Sequence, residues 1–189
     1  MNTIVTDLND LTKIQVGNLR LEFKELKVDE VLSDVIRSMK RQIEEKGIDI
    51  EVNVPEHLPN LWADPLRLSQ IFTNLVSNAL KYSPEGGRII IGVEPYSQTE
   101  NGKSERRYLY IWIRDNGIGI SSEDKDNIFQ QYFRSESAKE MATGTGLGLF
   151  ITKNLVELQG GEVGFESELN EGTTFHFTVP IAGSEFTGN

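Results

Sequence analysis

The apolar positions of this chain switch repeatedly between helical and strand-like spacing. Near the amino terminus they recur every three or four residues, which predicts one short helix with a single apolar face formed by Ile4, Leu8, Leu11 and Ile14. Gly17 and Asn18 are expected to end this helix. Because so short a helix is marginal by itself, we expect it either to fold onto the core or to be the end of a longer bundle helix.

The next segments predict two strands with a helix between them. Strict alternation of apolar and polar residues predicts strands over Leu19–Val28 and Ile48–Val54. Asp29 is positioned to cap a helix over Glu30–Lys46, and Gly47 lies just past its end.

A second long helix is predicted over Pro65–Tyr82, because Asp64 followed by proline is a strong helix start. A short helix near Ser122–Gln131 and a helix over Leu147–Gln159 follow. The alternation also predicts four strands, at Arg88–Glu94, Arg107–Arg114, Glu162–Glu168 and Thr173–Val179. A polar linker, Ser97–Arg106, joins the first two of them. A mixed sheet covered on one face by helices is the simplest layered arrangement of these elements.

Composition excludes several classes of function. The net charge of −10 opposes binding to nucleic acid or anionic lipid, but it permits a locally basic site for a small polyanion. The chain has no cysteine, so disulfides, thiolate metal sites and cysteine nucleophiles are absent. No signal peptide or membrane-spanning run is recognised, and the tail from 183 to 189 is expected to be a tag or disordered.

The helix over Pro65–Tyr82 carries an unusual polar stripe. At about 100° per residue, four polar side chains fall within less than about 90° of the helix circumference: Gln70, Asn74, Asn78 and Lys81. A solvated face would more often carry Glu, Lys and Arg, whereas amide oxygens are good ligands for hard cations. Two interpretations of this stripe are therefore kept: a solvent-exposed face of an ordinary amphipathic helix, and a ligand-binding face.

Glycine-rich segments supply two further candidate sites. Asp115 directly follows a predicted strand and is itself followed by Gly117 and Gly119. Its carboxylate could accept from an amine such as that of adenine, although a simple glycine turn fits as well. Gly144 and Gly146 precede a predicted helix whose free N–H groups could bind an anion. No Gly-Lys-Ser/Thr follows, so this segment is not a Walker P-loop.

Taken together, these segments resemble, in order and spacing, the nucleotide-binding boxes of the GHKL ATPases, and most closely those of sensor histidine kinases. The boxes, named as in that family, are the N box at Asn74–Pro84, the G1 box at Asp115–Ile120, the F box at Ile128–Arg134, the G2 box at Gly144–Leu149 and the last glycine box at Gly172–Phe175. The resemblance implies a Bergerat fold, an α/β two-layer sandwich in which a mixed, mostly antiparallel sheet is covered by helices on one face.

The resemblance also implies a site for ATP and Mg²⁺. By it, Asn78 supplies the protein oxygen to Mg²⁺, and Asp115 accepts from the adenine amino group, with Gly119 beneath the base. Lys81 and Tyr82 approach the phosphates or the ribose.

Further roles follow from the same resemblance. Arg134 is expected to meet the γ-phosphate and Thr174 to reach the adenine through a water molecule, while Asn74, Lys81 and Arg134 form the catalytic set. The other residues that the resemblance assigns to ATP are Gly117, Ile120, Gly144, Thr145, Gly146, Leu147 and Gly148.

The resemblance divides the chain into three parts. Residues 1–18 are similar to the end of a dimerisation and histidine-phosphotransfer helix, residues 19–182 to the catalytic domain, and residues 183–189 to a tag or tail. His57 and His176 do not stand in the family's acceptor motif, so the phosphorylated histidine is expected outside this chain. The implied partners are the phosphoacceptor helices of the same kinase and a response regulator. A monomeric fragment of a homodimeric protein is expected, working in the cytoplasm or as the cytoplasmic part of a receptor.

Two alternatives remain beside the kinase hypothesis. GHKL ATPases that hydrolyse ATP carry a glutamate where this chain has Asn74, and an amide cannot usefully accept a proton from water. That difference favours the kinase. A nucleotide-sensing module without turnover is also open.

Overall fold

The computed structural model describes residues 3–99, 105–141 and 143–183, which form two packed layers. Its helices are α1 (Thr3–Gln15), α2 (Val28–Lys46), α3 (Pro65–Tyr82), α4 (Glu136–Met141) and α5 (Gly148–Leu158). Its strands are β1 (Lys24–Leu26), β2 (Asp49–Asn53), β3 (Leu61–Ala63), β4 (Arg88–Thr99), β5 (Glu105–Asp115), β6 (Val163–Glu168) and β7 (Gly172–Pro180). Within the described ranges, no helix combines the length and the apolar character needed to cross a membrane.

Five strands form the main sheet in the order β2-β4-β5-β7-β6, and only the β2–β4 pair is parallel. Alternate residues of the central strands point into the core. They are almost fully buried, and they include Ile89, Ile91, Ile111, Ile113 and Phe177. Phe177 meets Phe72 of α3 edge to face, with ring centroids 5.5 Å apart. The predicted fold class, a mixed and mostly antiparallel sheet covered by helices, is therefore confirmed.

Helix α3 is the central element of the helical layer. One side of it is buried between the sheet and the neighbouring helices through Leu68, Ile71, Phe72, Leu75, Val76, Ala79 and Leu80. Its start is fixed by Asp64, whose Oδ1 accepts from the N–H groups of Leu66 and Arg67 at 2.9 and 3.1 Å. The other carboxylate oxygen of Asp64 accepts from the N–H of Glu22 at 2.8 Å, which ties the entering chain to the helix.

The first predicted strand is much shorter than its alternating pattern. Only Lys24–Leu26 pairs, with the three-residue strand Leu61–Ala63 that sequence patterns did not predict. An alternating segment becomes a strand only as far as its partner extends, and this partner is short. The expected cap at Asp29 is also wrong: α2 begins at Val28, Lys27 occupies the cap position, and Asp29 lies in the first turn.

The segment after β5 differs from the prediction as well. Ser122–Gln131 forms successive turns rather than a helix, and the short helix of this region is Glu136–Met141. The hairpin ladder continues through the Tyr96 and Tyr108 pair to Thr99 and Glu105, so both ends of the predicted linker belong to strands. The middle of that linker lies outside the described residues.

Helix α1 packs on a face rotated from the predicted apolar stripe. Leu11 is buried, but Leu8 is half exposed, while Asp10 is only 3% exposed. Asp10 Oδ2 accepts from Arg67 Nη1 at 3.0 Å and from Gln70 Nε2 at 2.8 Å. Because these two partners satisfy its charge, the carboxylate occupies a buried position that apolar spacing would give to Leu8. Residues 184–189 of the expected tail lie outside the described residues.

We predict that Asp64→Ala lowers the free energy of unfolding by about 1–3 kcal/mol. The substitution removes the cap of α3 and leaves the N–H of Glu22 without its acceptor. Urea unfolding followed by circular dichroism measures the change. The matched control is Asp29→Ala, which removes an exposed carboxylate from the first turn of α2 and should change stability by less than about 0.5 kcal/mol. Equal losses in the two variants would contradict the structural role of Asp64.

Candidate functional site

A cavity of about 670 Å³ opens between α3, the loop after β5, the segment around α4 and the start of α5. This volume lies within the roughly 300–1,000 Å³ that small-molecule sites occupy. Its lining includes Asn74, Ser77, Asn78, Lys81 and Tyr82 from α3, Asp115, Ile118, Gly119 and Ile120 around the end of β5, and Phe133, Arg134, Gly144, Thr145, Gly146 and Gly148 beyond it. The fold thus brings the amides of α3 and the carboxylate of β5 to one space, although Asn78 and Asp115 are 37 positions apart in the sequence.

Asp115 forms the buried end of this cavity. Its side chain is held by two backbone N–H groups, those of Gly117 at 2.8 Å and Thr173 at 3.3 Å, and both donate to Oδ1. Burial raises the pKa of Asp115 to about 6, and the two N–H bonds oppose this rise only in part. Because both bonds end on Oδ1, the carboxyl group retains acceptor capacity on Oδ2 for a ligand donor.

The loop after Asp115 needs glycine for a close backbone contact. Gly119 has a φ of +67°, and a Cβ there would overlap the carbonyl oxygen of Glu168. Ile120 is fixed in turn, since its N–H donates to Ser167 Oγ at 2.9 Å. Gly119 and Ile120 line the cavity as expected, whereas Gly117 serves it indirectly by donating to Asp115.

Asn74 links α3 to α5 at the opposite end of the cavity. Its Nδ2 donates to Thr152 Oγ1 at 2.7 Å, and Thr152 is buried. Gly148 packs directly on this amide, because a Cβ at Gly148 would overlap Asn74 Oδ1. The first turn of α5, with its outward N–H groups, is therefore held against the N box.

Two cations lie on the same side of the cavity. Burial lowers the pKa of Lys81, and the nearby charge of Arg134 lowers it further. The guanidinium of Arg134 donates to the carbonyls of Ala138 at 2.7 Å and Gly144 at 3.4 Å. Lys81 Nζ also lies 5.3 Å from the centre of the Tyr82 ring. Since the two positive charges oppose each other, an anion between them would be stabilised.

Three residues singled out in the sequence lie elsewhere. Thr174 is on the sheet face turned away from the cavity, because side chains alternate along β7, and Thr173 lines the cavity in its place. Gln70 contacts Asp10 instead of the cavity. Leu147 is buried beneath the cavity rather than lining it.

Neither histidine belongs to the cavity lining. His57 is exposed before β3, and His176 stacks on Tyr110 with ring centroids 5.3 Å apart on the outer sheet face. Burial lowers the pKa of His176, while the charge of Glu166 opposes this shift.

Sequence patterns missed some lining residues. Asp7 of α1 and Ser77 of α3 line the cavity, as does Thr173. A signal for Asp7 existed, because it shares one helix face with Leu11 and Ile14, where a carboxylate is unexpected. Thr173 differs from Thr174 only by register, which the sequence did not reveal.

The described residues contain no group of three or more His, Cys, Asp or Glu side chains that could enclose a metal ion. A cation in this cavity would therefore rely on a few protein oxygens, such as that of Asn78, and on ligand oxygens. Mg²⁺ accepts such a site because it commonly keeps several waters and binds phosphate oxygens of a substrate.

Comparisons with known proteins agree on one family. Residues 63–183 match the profile of the family described as histidine kinase-, DNA gyrase B-, and HSP90-like ATPase. The signal transduction histidine-protein kinase BarA of Escherichia coli is 38% identical over 180 residues, which cover 94% of this chain and 19% of that protein. The adaptive-response sensory kinase SasA of Gloeothece citriformis is 32% identical over 181 residues, covering 96% of this chain and 44% of that kinase.

Solved structures show the same similarity. The catalytic domain of histidine kinase ThkA is 28% identical with a TM-score of 0.69, and the match covers 85% of this chain and 97% of that domain. Full-length ShkA in complex with AMPPNP is 26% identical with a TM-score of 0.74, covering 96% of this chain and 37% of that protein. The chain spans about one fifth of the length of BarA, so it corresponds to one part of such proteins.

The raised pKa of Asp115 predicts an inverted pH dependence of stability. The folded state holds a proton more tightly than the unfolded chain, so ionised Asp115 costs the fold up to about 3 kcal/mol above pH 7. This cost disappears as the pH falls from about 6 towards 4. Asp115→Asn, which keeps an acceptor oxygen, should therefore be more stable than the wild type at pH 8 and lose about two-thirds of this advantage by pH 4.5. Urea unfolding at both pH values measures the difference, and an advantage independent of pH would contradict a raised pKa.

Proposed function

This chain belongs to the family of histidine kinase-, DNA gyrase B- and HSP90-like ATPases, and on that premise we propose that it is the ATP-binding catalytic domain of a sensor histidine kinase. It would bind Mg-ATP and transfer the γ-phosphate to a histidine outside this chain, for relay to an aspartate of a response regulator. The observation that carries the proposal is that Asp115 and Asn78 line one cavity together with Lys81 and Arg134.

The adenine end is assigned to Asp115. Its Oδ2 would accept from the exocyclic amino group, while Oδ1 stays bound to the N–H groups of Gly117 and Thr173. Gly119, which lines the cavity and whose missing side chain lets the loop pack on the Glu168 backbone, would lie beneath the base. The surroundings of Asp115 are buried and apolar, so a flat aromatic ring would be favoured there in place of water. The single carboxylate would orient that ring.

The phosphate end is assigned to α3, Arg134 and the start of α5. Asn78 would supply an oxygen to Mg²⁺, whose charge would offset that of the phosphates. Lys81 and Arg134 would hold the β- and γ-phosphates, and the repulsion between these cations would be relieved by the bound anion. The backbone around Gly144 and Gly146 would close over the phosphates from the Arg134 side.

Phosphoryl transfer needs little covalent help from this chain. A ring nitrogen of the acceptor histidine would attack the γ-phosphorus, the bond to the β–γ bridging oxygen would break, and ADP would leave with the electron pair. Positioning and charge neutralisation provide most of the catalysis in such reactions. Lys81 and Arg134 supply that charge.

Asn74 argues for transfer to a protein acceptor rather than for ATP hydrolysis. Its amide is held by Thr152 and Gly148, so it can orient a ligand, but it cannot take a proton from water. A hydrolytic ATPase would need a base at this position.

The acceptor and the receiver are proposed as partners. Residues 1–18, which contain α1, would be the end of the helix that mediates dimerisation and bears the acceptor histidine. Residues 19–182 would be the catalytic domain. The fragment would be monomeric, whereas the complete kinase would be a homodimer.

We expect the chain to bind Mg-ATP in the micromolar range and to remain unlabelled when incubated alone with γ-labelled ATP. Adding the acceptor-histidine segment of the same kinase should produce acid-labile phosphate on that segment. Calorimetry measures binding, and acid-sensitive labelling measures transfer. Asp115→Asn should bind Mg-ATP at least tenfold more weakly, because the amide NH2 group replaces one acceptor oxygen of the carboxylate with a donor. The exposed control Asp29→Asn should bind as the wild type does.

Each negative result has a separate meaning. No binding at millimolar ATP would overturn nucleotide use altogether. Tight binding without transfer to the acceptor segment would favour a nucleotide-sensing module. Acid-labile phosphate on the isolated chain would contradict an acceptor outside it.

A further prediction separates metal binding from base binding. Asn78→Ala should weaken Mg-ATP at least fivefold, because it removes the proposed protein ligand of the metal, and should leave adenosine binding within twofold. Calorimetric titrations with Mg-ATP, with ATP in EDTA and with adenosine measure the three affinities. Asn53→Ala, on the exposed strand β2, is the control. Equal losses for all three ligands would contradict a metal role for Asn78.

A further inference from the structure

Helix α1 contributes a carboxylate to a cavity that otherwise belongs to the sheet, α3, α4 and α5. Asp7 of this helix is among the lining residues, together with Asn74 and Gly148. The family profile begins only at residue 63, so α1 lies outside the matched part of the chain. Asp7 is therefore a candidate site residue from outside the nucleotide-binding boxes.

The position of α1 is set by a buried polar clamp one turn away. Asp10 is bound by Arg67 and Gln70 of α3 at 3.0 and 2.8 Å, and Arg67 Nη1 also donates to Gln70 Oε1 at 2.8 Å. The neighbouring Leu11 is 4% exposed within the core. A charge-assisted, buried contact of this kind resists sliding of the helix, so Asp7 is held in place.

The register of the two helices places Asp7 at the phosphate end of the cavity. Asp10 contacts the turn of α3 that contains Arg67 and Gln70. Asp7 precedes Asp10 by about one turn, and Asn74 follows Gln70 by about one turn. Because the part of the lining that α3 supplies begins at Asn74, Asp7 lies at the end of the cavity formed by Asn74 and Gly148. The loop after Asp115 is attached about two turns further along α3, where the N–H of Ile118 donates to the carbonyl of Tyr82.

The charge of Asp7 is already unfavourable in this position. Burial raises its pKa, and the negative charge of Asp10 raises it further. Phosphate groups at the same end of the cavity would add more negative charge near this carboxylate. The proposed nucleotide and the docked α1 therefore place like charges in one partly buried space.

We propose that Asp7 is a specificity-determining residue of the nucleotide site, which opposes the terminal phosphate and makes the docking of α1 antagonistic to ATP binding. The inference rests on the proposed function, because it assumes a polyphosphate at the Asn74 end. Antagonism is reciprocal: if the docked α1 weakens ATP, then bound ATP weakens the docking of α1 by the same factor. The clamp at Asp10 makes this competition measurable, since it defines the docked state.

The test compares Asp7→Asn with the wild type in the complete 189-residue chain, by calorimetry with Mg-ATP, Mg-ADP and adenosine. Asp7→Asn keeps the shape of the side chain and removes its charge. Its affinity for Mg-ATP should rise roughly three- to tenfold, its affinity for Mg-ADP should rise less, and its affinity for adenosine should stay within twofold. The matched control Asn9→Asp adds a charge on the exposed face of α1 and should change none of these affinities more than twofold.

Hydrogen exchange supplies a readout independent of affinity. Saturating Mg-ATP should speed amide exchange in α1 of the wild type and have a smaller effect in Asp7→Asn, while adenosine should leave α1 unchanged. Circular dichroism confirms that the variants are folded.

Several outcomes would overturn the inference. Weaker binding of Mg-ATP by Asp7→Asn, with ATP in EDTA unaffected, would mean that the carboxylate helps to hold the metal. An equal gain for adenosine would assign the effect to α1 packing rather than to phosphate charge. Unchanged affinities would remove any role of Asp7 at the site. If the wild-type chain bound no nucleotide, the proposed function would fail and this inference with it.

Discussion

The site depends on how helix α3 is held. One side of the helix is completely buried between the sheet and the neighbouring helices, so the helix cannot rotate without exposing several large apolar side chains. Asp64 fixes its beginning through two cap bonds and a third bond to the entering chain. The fixed rotation of the helix therefore turns one polar face towards the cavity, and this face carries the side chains of Asn74, Asn78 and Lys81. The packing of the core therefore decides where the polar chemistry lies.

The cavity stores unfavourable electrostatics that a suitable ligand would relieve. Burial disfavours the ionised form of Asp115 at one end, and Lys81 and Arg134 repel each other along the cavity. Asp7 adds a carboxylate from α1 that burial and Asp10 destabilise. A ligand with an amine at one end and a metal-bound polyanion at the other answers the first two of these features, and the third opposes it. Acidic and basic groups with shifted pKa values in one cavity are typical of functional sites.

Helix α1 reaches the cavity from outside the part of the chain that matches the family. The nucleotide boxes are confined to the matched part of the chain, but α1 precedes that part and still lines the cavity. Its attachment uses one buried carboxylate and few apolar side chains, since Leu8 faces solvent. A helix bound in this way can dissociate at a smaller free-energy cost than an element of the core, because little apolar surface would become exposed.

The sequence by itself determined the long elements and identified most of the predicted site residues that line the cavity. The cap at Asp64 and the periodicity of α3 are local, and so is the spacing from Asp115 to Gly119, which allows the loop to approach Glu168. Tertiary structure alone decided what depends on partners distant in the chain: the β1–β3 pair, the helix at Glu136–Met141, the choice of Thr173 over Thr174, and the entry of Asp7 into the cavity. A strand ends where its partner ends, and a side chain lines a cavity only when register and helix rotation turn it there. Those quantities are set by packing between distant segments, which local patterns do not contain.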